Sequence, residues 1–420
     1  MTTSPHDPAA ADRPVMPSAA DCPAELIDGW LVHTAALQAG RGTLLFPGQA
    51  LLLTHEGGAL DGGSFAHGVP QQTQLSTATL IQDRRVRRAM LEQHRIRVPE
   101  GATFTIGRGT RAALDFAERR GFPVVLKPMV GDNTVETRTG IAGTEELLEG
   151  IRDLRVAPQL RPDYTTASYA FTAIHTPREE DQSRTRKNYR YLVEEQVPGH
   201  FLRFLLIDGQ VVSAFSSPHG AWGLDEGQEL RDAVHPTLLA HAEEVAAVFP
   251  GLAVVAVDTV LSRGAEVARE DQDVTVVDVS ERPWLAMQAS RDPEEALLLA
   301  RRILESTVAR TEDGTLPQPQ AEVALDVRWE GVSVMDAFLE HVHEAAIAAG
   351  LRGHAVAEDV VGGIAAGHLE GPAAAVALFN ELAVAGNLTG EHLMAVDSRP
   401  AERTGTSGFA VQDAPGGTPA

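Results

Sequence analysis

The run of strand signals between Tyr191 and Val279 constrains this fold more than any other stretch of the chain. Tyr191–Val197, Arg203–Ile207 and Val211–Phe215 are apolar, strand-forming runs, and Asp208-Gly209-Gln210 between the last two is a hairpin signal. A helix is expected over His235–Phe249, then strands over Ala253–Leu261 and Val274–Val279, then a long helix from Pro293 to Val308. Upstream, Thr43–Thr54 reads as a strand, Asp83–Arg95 as a helix with Asp83 as N-cap, 122–128 as a strand, and a helix starts near Thr144. Residues 1–24 and 398–420 lack periodicity and are expected to be disordered ends. The polar stretch Arg161–Arg190, with its basic run 183–190, reads as a solvated loop or as one that closes over a phosphate or carboxylate.

Charge narrows the function classes. Acidic residues outnumber basic ones 58 to 35, giving −23, which argues against nucleic acid or an anionic membrane as partner. The single cysteine, Cys22, excludes an intrachain disulfide and a thiolate metal cluster, and no apolar run is long enough for a membrane span. A cytoplasmic enzyme is the expectation; oligomeric state, a homodimer included, is left open.

Of the 35 basic residues only two are lysines, and one of them, Lys127, ends the apolar run Gly-Phe-Pro-Val-Val-Leu-Lys-Pro. A compact ammonium in that setting suits a phosphate contact; a snorkelling strand-end lysine is the alternative. Asp258 and Asp278 each lie among apolar strand residues, and a buried carboxylate needs a cation or a dense hydrogen-bond set. Ser280 shares the face of Asp278, and such hard oxygen ligands suit Mg²⁺ carrying ATP phosphates; strand-end acids near solvent are the other reading. Gly-Arg-Gly-Thr-Arg-Ala (107–112) reads as a loop-to-helix turn, because no ribose-binding acid ends the following strand. His341 and His343 are two apart on a helix and diverge.

The order of these features, from Asp83-Arg84 through Val-Leu-Lys-Pro, the acidic strand Leu-Val-Glu-Glu-Gln-Val-Pro-Gly, the hairpin Arg-x-Leu-Leu-Ile-Asp-Gly and the pair Val-Asp and Val-Asp-Val-Ser, resembles the ATP-grasp ligase superfamily over about residues 75–310. The likeness is nearest to the cyanophycin synthetase and D-alanine ligase branches. The resemblance implies an α+β fold in which two subdomains grip ATP, and a reaction in which a carboxylate is phosphorylated and then joined to an amine. It implies ATP contacts from Arg84, Lys127, Gly131, Asn133, Glu194, Glu195, Val197 and Arg203. It further implies Mg²⁺ (or Mn²⁺) on Asp258, Asp278 and Ser280, with Arg282 as a clamp on the carboxylate or acyl phosphate; a surface ion pair is the other reading of Arg282. The chain departs from the family at Arg84, where lysine is usual, at Phe201, where an acid often meets the ribose, and at Asp278-Val-Ser280, where Glu-x-Asn is usual.

The expected organisation is a short region 25–80, an ATP-grasp domain 81–310, a linker 311–320 and a separate small domain 321–397. That domain reads βαββαβ, a ferredoxin-like order, and resembles acylphosphatase, with Met335 and Ala357 where that family carries its phosphate-binding Arg and its Asn. It is expected to fold alone and to lack hydrolase activity. A nucleotide-binding protein without turnover, and third an acylphosphatase, are the competing functional readings.

Overall fold

The computed structural model describes residue 22 and residues 26–54, 60–129, 137–155, 190–218, 220, 227–308, 316–390 and 392–412. The described residues form a mixed α+β structure with three sheets. The first helix of the described residues is α1 (Ile27–Gln38), mostly apolar and buried on every face from Ile27 to Leu37, with Asp28, His33 and Thr34 buried among its apolar residues. Four strands follow, β1 (Gly42–Phe46), β2 (Ala50–Thr54), β3 (Leu60–Ala66) and β4 (Val69–Pro70), so Thr43–Thr54 is a hairpin and not one strand. Helices α2 (Leu75–Gln82) and α3 (Arg84–Gln93) are separated by Asp83, whose carboxylate accepts from Arg85 N at 2.9 Å and caps α3 as the sequence predicts.

The second unit holds β5 (Gly101–Thr105), α4 (Thr110–Arg120), β6 (Val124–Pro128), β7 (Arg138–Ile141), α5 (Thr144–Asp153) and β8 (Arg190–Glu195), with the strands in the order β5-β8-β6-β7. The third contains β9 (His200–Ile207), β10 (Gln210–Ser217), β11 (Gln228–Glu229), α6 (Pro236–Ala247), β12 (Val254–Leu261) and β13 (Val274–Ser280), in the order β11-β10-β9-β12-β13. Asp208 and Gly209 both take positive φ, 51° and 78°, and make the tight turn that the Asp-Gly signal foretells. Helices α7 (Ala286–Arg291) and α8 (Pro293–Val308) lead out of this sheet.

The C-terminal part runs β14 (Glu322–Glu330), α9 (Met335–Ala348), β15 (Arg352–Asp359), β16 (Ile364–Pro372), α10 (Ala373–Val384), β17 (Ala395–Pro400) and β18 (Phe409–Gln412). The βαββαβ element order is therefore present, with strands in the order β15-β16-β14-β17. Its separateness is not. Strand β17 pairs antiparallel with β1, Leu45 opposite Val396, so the sheet continues through β1 to β4 and numbers nine strands. One apolar core joins Trp30 and Leu31 of α1, Ile303 and Leu304 of α8, and Val376 and Phe379 of α10. Regions 25–80 and 321–397 thus share a sheet and a core, because β1 covers the open edge of β17 and the buried α1 packs its apolar residues with those of α8 and α10. At the far edge, 401–412 is an ordered strap: β18 pairs parallel with β15, Gly353 opposite Phe409, in part of the tail expected to be disordered. Cys22, also in an end expected to be disordered, is buried in the same core.

Candidate functional site

Register brings the acids together. Asp258 on β12 lies opposite Asp278 on β13 and, on its other side, opposite Arg203 on β9, so the three form one row across the sheet. A bulge between Asp258 and Thr259 breaks the pairing just past this row. On the four-stranded sheet Val125 lies opposite Glu194, and Lys127 is two residues along β6 on the same face. A cavity of about 320 Å³ opens here, lined by the apolar Val125, Val197, Phe201, Val260 and Val277, by Lys127 with the acids Glu194, Glu195, Asp258 and Asp278, and by Thr137, Thr139 and Gln196.

Lys127 ties the two sheets together. Its ammonium meets Glu194 Oε1 at 2.5 Å and donates to the Val277 carbonyl at 2.9 Å, from a side chain only 7% exposed. The other Glu194 oxygen accepts from Arg88 of α3 at 3.1 Å, and Arg88 also donates to the Pro99 carbonyl at 2.7 Å. Behind this wall a smaller cavity, about 20 Å³, is lined by Arg84, Arg87 and Arg88 together with Lys127, Glu194 and Asp278. Arg84 donates to the Pro128 carbonyl at 2.6 Å and stands 3.7 Å from Asp278 Oδ2, while Arg87 meets Asp278 Oδ1 at 2.5 Å and donates to the Val279 carbonyl. Burial alone would raise the Asp278 carboxyl, yet Arg87, then Arg84 and Lys127, with the Val279 N–H, outweigh it and hold it at about 2.

The expected metal site is arranged otherwise. Arg203 closes on Asp258 through two bonds, Nε to Oδ1 at 2.6 Å and Nη2 to Oδ2 at 2.7 Å. Ser280 Oγ accepts from Arg282 N at 2.9 Å and from Trp284 Nε1 at 3.1 Å, so it caps the turn that follows β13. The donor set that would hold Mg²⁺ is thus engaged by cations and N–H groups, and among the described residues no three His, Cys, Asp or Glu side chains come together to hold a metal. Asp258, Asp278 and Ser280 do not fit a hard divalent cation in this arrangement.

Two further expectations are corrected. Arg282 is not at the cleft: it is buried against Asp28 of α1 at 3.4 Å and lies 4.5 Å over the Trp284 ring, so it joins α1 to the segment after β13. Glu195 does line the cleft, but its carboxylate is engaged elsewhere: it accepts from Glu100 N at 2.9 Å and pairs with Arg120. Gly131 and Asn133 lie outside the described residues, as does most of Arg161–Arg190. Arg87 and Arg88 were missed from sequence. Their signal was there: Arg84, Arg87, Arg88 and Leu91 follow helical spacing, so the face that α3 turns inward is largely guanidinium.

No family model matches this chain, and no curated protein matches it. It is similar to several solved structures. They include D-alanine–D-alanine ligase from Bacillus anthracis complexed with ATP, at TM-score 0.36 and 14% identity over 58% of this chain and 70% of that one. D-cycloserine synthetase DcsG has TM-score 0.38 and 17% identity over 57% and 74%. ATP-grasp ligase PsnB, solved with its precursor peptide and AMPPNP, has TM-score 0.35 and 14% identity over 56% and 60%.

Proposed function

We propose that this chain is an ATP-dependent ligase of the ATP-grasp type, which joins a carboxylate, an amino acid or small peptide, to an amine. The observation that carries the reading is Lys127: one ammonium, fixed by Glu194 and by the Val277 carbonyl, bridges two sheets at the wall of the cleft. The Val125, Val197, Phe201, Val260 and Val277 walls suit a flat base, and the Lys127 ammonium suits a phosphate. The chemistry needs no protein nucleophile. A carboxylate oxygen attacks the γ-phosphorus, the bond to the bridging oxygen breaks and ADP leaves; the amine then attacks the acyl carbon, phosphate departs and the amine proton is lost. Catalysis is positioning plus neutralisation of charge on the transferring group, to which Lys127 contributes from the cleft wall.

Incubating the protein with ATP and a panel of amino-acid pairs, with ADP and the amide product followed by mass spectrometry, tests this directly. ATP binding with neither ADP release nor amide from any pair would favour a second reading, a nucleotide-binding protein without turnover. The pairing of both cleft aspartates with arginine favours that reading. No helix among the described residues is long and apolar enough to cross a membrane, and the reading places the enzyme in the cytoplasm, where ATP is abundant. The β14 to β17 unit is assigned a structural or substrate-docking role.

A further inference from the structure

Each carboxylate that lines the cleft is met by an arginine that does not. Glu194 pairs with Arg88 at 3.1 Å, Glu195 with Arg120, Asp258 with Arg203 at 2.6 Å and Asp278 with Arg87 at 2.5 Å. Among the described residues Lys127 is the one lysine or arginine in the lining. Arg88 differs from the other arginines because its partner is also the partner of that lysine. The Glu194 side chain, 3% exposed, gives Oε2 to Arg88 and Oε1 to Lys127 at 2.5 Å, so one buried carboxylate is shared by two cations and the trio carries a net positive charge. Arg88 is anchored in turn on the Pro99 carbonyl at 2.7 Å, with Glu92 at 3.5 Å on the exposed side of α3. Lys127 also donates to the Val277 carbonyl at 2.9 Å, which leaves the third N–H of its ammonium without a partner among the described residues.

From this geometry we infer that Arg88 is a positioning residue for Lys127: by neutralising Glu194 from outside the cleft, it leaves the Lys127 ammonium its positive charge for a phosphate-bearing ligand. Without Arg88 the whole charge of Glu194 would fall on Lys127, in a buried site where solvent screens little, and the pair would offer an anion no net charge. The inference rests on the proposed nucleotide reading for the identity of the ligand. Since Arg88 does not line the cleft, its removal should weaken the hold on phosphates and leave the hold on the base alone.

The test is calorimetric titration of the full chain with ATP and, separately, with adenosine, in the wild type, in Arg88→Met and in Arg88→Met combined with Glu194→Gln. Arg88→Met is expected to weaken ATP binding by about 10-fold or more and to leave adenosine binding within about 2-fold of wild type. The double variant should recover most of the loss, because an amide oxygen still accepts from Lys127 while the opposing charge is gone. Equal weakening towards both ligands, a double variant as weak as the single one, or unchanged ATP binding in Arg88→Met would each overturn the inference and leave the nucleotide reading standing. A wild type that does not bind ATP would overturn both. If adenosine binds too weakly to measure, the ATP affinities of the single and double variants decide, and if Arg88→Met does not fold, Arg88→Gln takes its place in the same comparison.

Discussion

Arg203 and Asp258 stand opposite each other on β9 and β12, and their side chains close a two-bonded ion pair at 2.6 and 2.7 Å with both groups almost fully buried. Such a pair is bound less by net attraction than by the penalty of breaking it, since either charge left alone in the interior is costly. Arg203 also reaches Met287 Sδ at 3.4 Å, so it links the sheet to α7. The pair explains how a carboxylate in the apolar run Val-Val-Ala-Val-Asp-Thr-Val-Leu is tolerated.

Arg203→Ala is therefore expected to destabilise the protein by about 3–5 kcal/mol, because Asp258 is left uncompensated. The double change Arg203→Met with Asp258→Leu should recover much of that loss. Urea unfolding of the three proteins measures both quantities, and a double variant as unstable as the single one would show that the pair contributes more than mutual neutralisation.

Lys127→Ala should lower amide formation by about 100-fold or more, the size of effect seen when a preorganised charge facing a transition state is removed. The fold should persist, since Glu194 keeps Arg88 at 3.1 Å. Lys127→Arg should fail as well, because a planar guanidinium cannot serve Glu194 and the Val277 carbonyl from one point. Turnover near wild type in Lys127→Arg, with folding checked by circular dichroism, would reduce the scarcity of lysine to a compositional habit.

What was legible in the sequence was local. Asp83 as a cap, the Asp208-Gly209 turn and α8 from Pro293 to Val308 are set by near neighbours, and all are found as expected. The nine-stranded sheet was not legible, because Leu45 and Val396 meet from opposite ends of the chain and neither strand names its partner. Asp258 and Asp278 were correctly brought to one place, but strand patterning does not say which cation arrives there. Arg87 and Arg88 come from α3 and Arg203 from β9. Ser280 was misassigned because it ends its strand: alternation puts it on the face of Asp278, whereas the turn beyond supplies the Arg282 and Trp284 donors that claim its oxygen.

Residues 321–412 alone should not fold cooperatively. The edge of β17 that pairs with β1 would be open, and the α10 residues that pack with α1 would face water. Trp30 Nε1 donates to the Ala374 carbonyl at 2.9 Å, and Glu381 of α10 meets His33 at 3.3 Å, so polar links would be lost together with apolar ones. Thermal unfolding followed by circular dichroism checks this; a sharp transition in the isolated fragment would restore the independent domain that the βαββαβ pattern suggested.

The last prediction concerns acid. His67, in the turn between β3 and β4, is buried, and burial first and the Arg282 charge second lower its pKa from 6.5 to about 3. Since its folded value is depressed, the ring stays neutral in the native state while the unfolded chain takes up a proton below 6.5. Stability from this group is thus complete above 6.5 and is lost as pH falls towards 3, at up to about 1.4 kcal/mol per pH unit. Between about pH 7 and about pH 5 the wild type should lose about 2 kcal/mol through His67. His67→Asn should lose correspondingly less, because an amide does not titrate and asparagine tolerates the positive φ of 50° at this position. Urea midpoints of both proteins at the two pH values give the difference. Equal losses would mean that His67 is protonated in the folded protein and that Arg282 does not hold its charge against it.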